Sequence, residues 1–82
     1  MSLEALRDAN KAIGVKQVTK AVNKNLVQMV FFAEDADARV LRPLRDLCSE
    51  KEIRAVDVAT MSELGTACRI EVGAAAAAIL KP

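Results

Sequence analysis

The sequence predicts an α/β fold: a three-layer α/β/α sandwich around a four-stranded mixed sheet. Three observations lead there. Short apolar segments with strand character alternate with segments whose apolar residues recur every three to four positions. One of them, Leu26 to Ala33 (LVQMVFFA), is almost wholly apolar and suits a strand covered on both faces. Third, 52% of the 82 residues are apolar yet Phe31 and Phe32 are the only aromatics, so aliphatic side chains and alanine must fill thin, closely packed layers. A chain of this length makes one domain, taken as residues 1–82.

Ser2 is suited to cap a first helix running to about Asn10, with Leu3, Leu6 and Ala9 as its apolar stripe. Lys11 to Ile13 reads as a short strand that stops at Gly14. A second helix runs from there to about Lys24. In it Lys16, Lys20 and Lys24 are four apart and share one face, while Val18, Ala21 and Val22 form the opposite, core-facing stripe. No acidic residue occurs between Asp8 and Glu34 to relieve the lysines. Such a face is ordinarily just solvated, but a helix start surrounded by lysines is also suited to phosphate.

Glu34-Asp35-Ala36-Asp37 comes after the second strand. Carboxylates at this spacing could bind a hard cation, but they more often make the turn and cap the next helix. Pro43 is expected to divide the next segment into a turn over Asp37 to Leu41 and a helix from Pro43 to about Lys51, with Leu44, Leu47 and Cys48 inward. Arg39, Arg42 and Arg45 lie among Asp46 and Glu50 and read as a mixed, solvated face. Ala55 to Ala59 alternates as a strand. Thr60 or Ser62 caps a short helix, about Met61 to Ala67, with Met61, Leu64 and Cys68 inward. Gly65 within it points to close packing or close approach of a ligand. Arg69 to Gly73 (RIEVG) is a loop that exposes Ile70 and Val72 on either side of Glu71. Ala74 to Ala78 sets propensity against topology: alanine favours helix, but the segment is short and the alternation asks for a last strand, which is the expectation adopted.

Several function classes drop out. Histidine is absent, which removes Ser–His–Asp triads, Cys–His dyads and histidine metal sites. Neither a dinucleotide-binding nor a P-loop glycine motif is present, and no acid–base pair is nominated, so no enzyme activity and no cofactor are expected. Cys48 and Cys68 read as buried thiols in a reducing cytoplasm. There is no signal peptide-like start and no apolar run long enough to span a membrane. The net charge is only +1, so nucleic-acid binding would depend on the local concentration of lysine between Lys11 and Lys24.

Two segments carry a resemblance: Ile13-Gly14-Val15-Lys16-Gln17-Val18-Thr19-Lys20, and Glu63-Leu64-Gly65-Thr66-Ala67-Cys68-Arg69-Ile70-Glu71-Val72-Gly73-Ala74-Ala75. Together they resemble the kink-turn RNA-binding ribosomal-protein superfamily of archaeal L-seven-Ae and eukaryotic L-thirty-e, most nearly its small bacterial YbxF-type branch. The resemblance covers almost the whole chain, and the second segment is the more specific. It implies a non-enzymatic protein that recognises kinked RNA with sheared G·A pairs in a ribosome or riboswitch setting, with ribosomal RNA a candidate partner. It implies a cytoplasmic monomer.

By that resemblance Gly14, Lys16, Gln17 and Lys20 occupy the positions that enter the RNA groove, where the family commonly has Gly-Thr-Asn-Glu and a lysine one turn on. Lys24 would continue the cationic face. Ile70, Glu71 and Val72 would meet nucleotides flipped from the kink. Arg69 departs from the glycine usual at its position and is assigned either a phosphate contact or loop stiffening. The alternative is a protein-interaction or assembly module of the same fold with little specific RNA affinity.

Overall fold

The structure, a computed structural model, describes residues 5–82. The expected Ser2 cap and Leu3 lie outside the described residues. The elements run α1 (Ala5–Asp8), β1 (Lys11–Ile13), α2 (Val15–Asn23), β2 (Val27–Ala33), α3 (Ala38–Glu50), β3 (Arg54–Val58), α4 (Met61–Ala67) and β4 (Ala76–Leu80). The sheet order is β1-β4-β2-β3. β4 lies antiparallel to both β1 and β2, and β2 lies parallel to β3, so the sheet is mixed as expected.

The pleat of the central strands sends alternate side chains to opposite layers. Val30 and Phe32 of β2 pack with Val18 and Val22 of α2 and with Leu41, Leu44 and Cys48 of α3. Met29, Phe31 and Ala33 pack on the other face with Leu6 of α1 and Leu64 of α4, beside Cys68. Val27 would fall on the second face by simple alternation. The register slips by one between Val27 and Met29, leaving Gln28 exposed and returning Val27 to the α2–α3 side. Cys48 and Cys68 are free buried thiols on opposite faces of the sheet, which rules out a bond between them.

The alanine segment is a strand, as topology required, but β4 starts at Ala76 rather than Ala74. Ala76, Ala77 and Ala78 are fully buried at the centre of the sheet. Their small side chains let helices approach from both faces, and this packing outweighs alanine's preference for helix.

Pro43 does not divide the third helix: α3 runs unbroken from Ala38 to Glu50, and Leu41, assigned to a turn, is buried within it. Proline removes only the bond to the Arg39 carbonyl, one turn back. Both Arg39 and Pro43 lie on the exposed side, where that carbonyl is open to solvent. The arginine face is also more structured than a solvated surface. Arg45 pairs with Asp57 of β3 at 2.8 Å and stacks 4.4 Å above the Phe32 ring. Its nearest acidic partner thus comes from another element, not from Asp46 or Glu50.

Helices α2, α3 and α4 end alike. Asn25, Glu52 and Arg69 each take a left-handed conformation, with φ of 58°, 57° and 62°. After α4 the Arg69 N–H donates to the Thr66 carbonyl and the Ile70 N–H to the Gly65 carbonyl; equivalent pairs close α2 and α3. This double bond pattern satisfies the last helical carbonyls and turns the chain sharply back toward the sheet.

Candidate nucleic-acid interface

Gly14 is the hinge between β1 and α2. Its φ of 93° and ψ of 151° lie where side-chain-bearing residues are strained. A Cβ there would meet nothing within 4 Å, so backbone conformation and not space demands glycine. The Gly14 N–H donates to the Ala76 carbonyl at 2.8 Å, and its own carbonyl accepts the first bond of α2, from Val18. The first turn of α2 therefore starts from a fixed point at the end of the sheet.

Lys16 and Gln17 are exposed in that first turn and Lys20 in the next, while Val18, Ala21 and Val22 are buried beneath. No acidic residue sits in the first turn. Among the described residues, the ion pairs join Arg39 to Asp37, Arg45 to Asp57 and Arg69 to Asp8; none involves Lys16, Lys20 or Lys24. The lysine field is thus left for an anion to neutralise. Lys24 caps the far end of α2, about 12 Å from Lys16 at 1.5 Å rise per residue. It continues the cationic face without joining the cluster at the helix start.

The late loop arrives beside the same end of the sheet. Its exit is pinned between two strands: Gly14 donates to the Ala76 carbonyl on one side and Ala33 to the Ala75 carbonyl on the other. Its middle rests on α4. A Cβ on Gly65 would collide with the Val72 carbonyl oxygen, so the glycine anticipated as a close-packing site is one. Ala74 donates to the Met61 carbonyl at 3.0 Å and closes the loop against the start of α4. That start is itself fixed twice, by the Thr60 hydroxyl accepting from the Glu63 N–H and by Asp35 accepting from the Met61 N–H at 2.7 Å. Asp37 likewise accepts from the Arg39 N–H to cap α3. The acidic turn thus has clear capping work.

Within the loop the expected residues separate. Val72 is 71% exposed and Glu71 is also exposed. Ile70, expected to be exposed with Val72, is half-buried and packs against the α1–α4 core; it comes directly after the turn that ends α4 and serves as the loop's apolar anchor. Arg69 takes a left-handed backbone, with φ of 62°, a conformation that favours glycine. Its guanidinium reaches back toward Asp8 at 3.8 Å.

A groove runs along the flank of α2, and no local pattern in the sequence marks it. It is lined by the whole of β1, by Gln17, Lys20, Ala21 and Lys24, and by Leu26 and Leu80. The edge position of β1 that opens it is a property of strand order. Neither cysteine offers a nucleophile: burial pushes both thiols up from their ordinary value, outweighing the lowering by Arg45 at Cys48 and by Lys11 at Cys68. Among the described residues, no helix is long and apolar enough to cross a membrane.

Comparison with known proteins agrees with this architecture. The RNA-binding protein YbxF of Geobacillus stearothermophilus is 39% identical over 82 residues, covering 99% of this chain and 100% of that protein. An RNA-binding protein of Caldanaerobacter subterraneus subsp. tengcongensis is 44% identical over 68 residues, 83% of either chain. Among solved structures, the Giardia lamblia 15.5kD RNA binding protein matches with a TM-score of 0.89 at 27% identity, over 98% of this chain and 71% of that one. The model of the Ribosomal protein L7Ae/L30e/S12e/Gadd45 family matches residues 2–82, and with relatives of this identity along nearly the full chain, the protein belongs to that family.

Proposed function

We propose that this chain is a non-enzymatic RNA-binding protein that recognises and stabilises kink-turn RNA, acting as a cytoplasmic monomer on ribosomal or riboswitch RNA. The observation that carries the reading is the Gly14 hinge. It opens α2 with Lys16, Gln17 and Lys20 exposed and unneutralised, and its bond to Ala76 ties that helix start to the strand leaving the Ile70–Val72 loop. The names of the relatives, RNA-binding proteins of bacteria and of Giardia lamblia, support the same class.

The chemistry comes from the side chains. Lys16 donates to the guanine O6 or N7 edge, and Gln17 offers a donor and an acceptor to a sheared pair. Lys20 and Lys24 neutralise phosphates. Val72 gives an apolar surface to an unstacked base, with Glu71 beside it as an acceptor. Arg69 is drawn toward Asp8, and its contribution is to hold the loop's start. A protein with these contacts to the bent conformer alone shifts the RNA's folding equilibrium by its differential affinity.

The test is a titration against a short duplex containing a kink-turn, with a control in which the tandem G·A pairs become Watson–Crick pairs, both at one salt concentration. Tight binding to the first and weak binding to the second is expected. Equal, weak binding to both would overturn the reading and direct attention to protein partners.

A further inference from the structure

The open edge of β1 is the feature that kink recognition leaves unused. Gly14 donates to the Ala76 carbonyl and Leu80 donates to the Asn10 carbonyl, both at 2.8 Å. In an antiparallel ladder such inward-bonded residues alternate with outward-facing ones. With the register Lys11↔Ile79, Ala12↔Ala78 and Ile13↔Ala77, the N–H and C=O groups of Lys11 and Ile13 therefore point away from β4. Among the described residues, no strand pairs with that side. Lys11 and Ile13 both line the groove, together with Gln17, Lys20 and Lys24 of α2 and with Leu26, 47% exposed.

We propose that this groove carries a ribose–phosphate strand of the bound RNA beyond the kink, and that the β1 edge reads its 2′-hydroxyls. The inference rests on the RNA-binding reading. Three observations select this occupant. The groove shares Gln17 and Lys20 with the start of α2, so a strand leaving that site enters it directly. Its charged side chains are all lysines, and an anionic backbone is their complement. The β1 edge presents alternating donors and acceptors: N–H groups suit phosphate oxygens, and carbonyls accept from 2′-hydroxyls, which DNA lacks. From Gln17 to Lys24 the wall runs about 10 Å, the axial rise of about three nucleotides of one strand. A three-residue edge strand is a poor template for an added peptide strand, which argues against a protein occupant. The Lys11 ammonium is held by the Arg7 and Ala9 carbonyls at 3.3 and 3.4 Å, so Lys11 contributes here through its backbone.

A scan of single 2′-deoxy substitutions through a kink-turn duplex, read by titration with the full chain, tests this. The expected result is two neighbouring positions on one strand, outside the G·A pairs, where each substitution weakens binding about fivefold, the worth of one net hydrogen bond. Selectivity for the kink over the Watson–Crick control is unchanged at those positions. As an independent variant, Leu26→Glu weakens binding several-fold and Leu26→Lys strengthens it, steepening the salt slope by about one. A flat scan outside the kink, with kink selectivity intact, overturns the groove assignment and leaves the kink reading standing. Stronger binding by Leu26→Glu, weaker binding by Leu26→Lys, or no effect of either overturns it as well. Capture of an acidic peptide by the groove with a flat scan has the same meaning. Failure to bind any of the RNAs overturns both readings.

Discussion

Gly65 lies directly beneath the carbonyl oxygen of Val72, so closely that a methyl group at position 65 has no space. The loop proposed to meet flipped nucleotides is thus seated on the bare backbone of α4. Replacing Gly65 by alanine sets two effects against each other. Helix propensity favours alanine by about 1 kcal/mol. Overpacking against a backbone atom costs about 1–3 kcal/mol, and a carbonyl pinned by the neighbouring Ala74–Met61 bond yields less than a flexible side chain. The clash should win. Gly65→Ala is expected to lower the midpoint of thermal unfolding by several degrees and to weaken RNA binding through the displaced loop. A raised midpoint would show that the loop is not seated as described.

The left-handed residues after the helices give a ranked prediction. Arg69 and Glu52 carry a side chain where glycine is strain-free, while Asn25 is a residue type that tolerates this conformation. Relief of strain is offset in part by the greater freedom glycine gives the unfolded chain. The Arg69–Asp8 pair is exposed on both sides at 3.8 Å and adds little. Arg69→Gly and Glu52→Gly should each stabilise by a few tenths to about 1 kcal/mol, and Asn25→Gly by less. Denaturant midpoints measured on the three variants decide it; a larger gain from Asn25→Gly would reverse the argument.

These residues also mark where the sequence was and was not readable. The βα order, the buried β2 strand and the stripe of Val18, Ala21 and Val22 come from periodicity, which is local. The alanine strand has no periodicity of its own and comes from the βα alternation, once topology is allowed to outweigh propensity. Pro43 misled because its cost depends on which way one carbonyl faces, and that is decided by α3 packing on the sheet. Ile70 misled because the turn after α4 reverses the chain and carries it into the core, whereas Val72 beyond it stays out. The β1 edge groove exists only once β4 is placed between β1 and β2. At the site, the residue types and spacing on α2 were legible. The hydrogen bond from Gly14 to Ala76 of β4, which ties the helix start to the exit of the loop, was not.

Asp37 gives a pH-dependent test of the α3 cap. The Arg39 side chain, and then the Arg39 N–H, hold its carboxyl below the ordinary value of 3.8. A group whose folded value is depressed adds stability above its unfolded value and loses it as pH falls through the folded one. The contribution is therefore complete at neutral pH and fades below about pH 4. Asp37→Ala should unfold at a lower temperature than the parent at pH 7, and the gap should narrow as the pH falls below about 4. A gap that stays constant with pH would mean that the charged carboxylate is not what caps the helix.

The lysines of α2 can be separated by what each substitution changes. Lys16 and Gln17 stand in the first turn, which the proposed interface assigns to base edges, and Lys24 stands at the far end, which it assigns to backbone alone. Losing Gln17 removes a donor–acceptor pair worth about 1–3 kcal/mol of discrimination. Lys16→Ala and Gln17→Ala should therefore lower the preference for the G·A kink over its Watson–Crick control, and Lys24→Ala should weaken binding to both about equally. With roughly three phosphate contacts, log K should fall against log salt with a slope of about −2 to −3, and Lys24→Ala should make it shallower by about one. All three side chains are exposed, so unfolding temperatures should stay near the parent's and the binding differences can be read directly. Equal losses from all three substitutions, with an unchanged kink preference, would make the face a general polyanion surface. A flat response of all three would remove α2 from the interface.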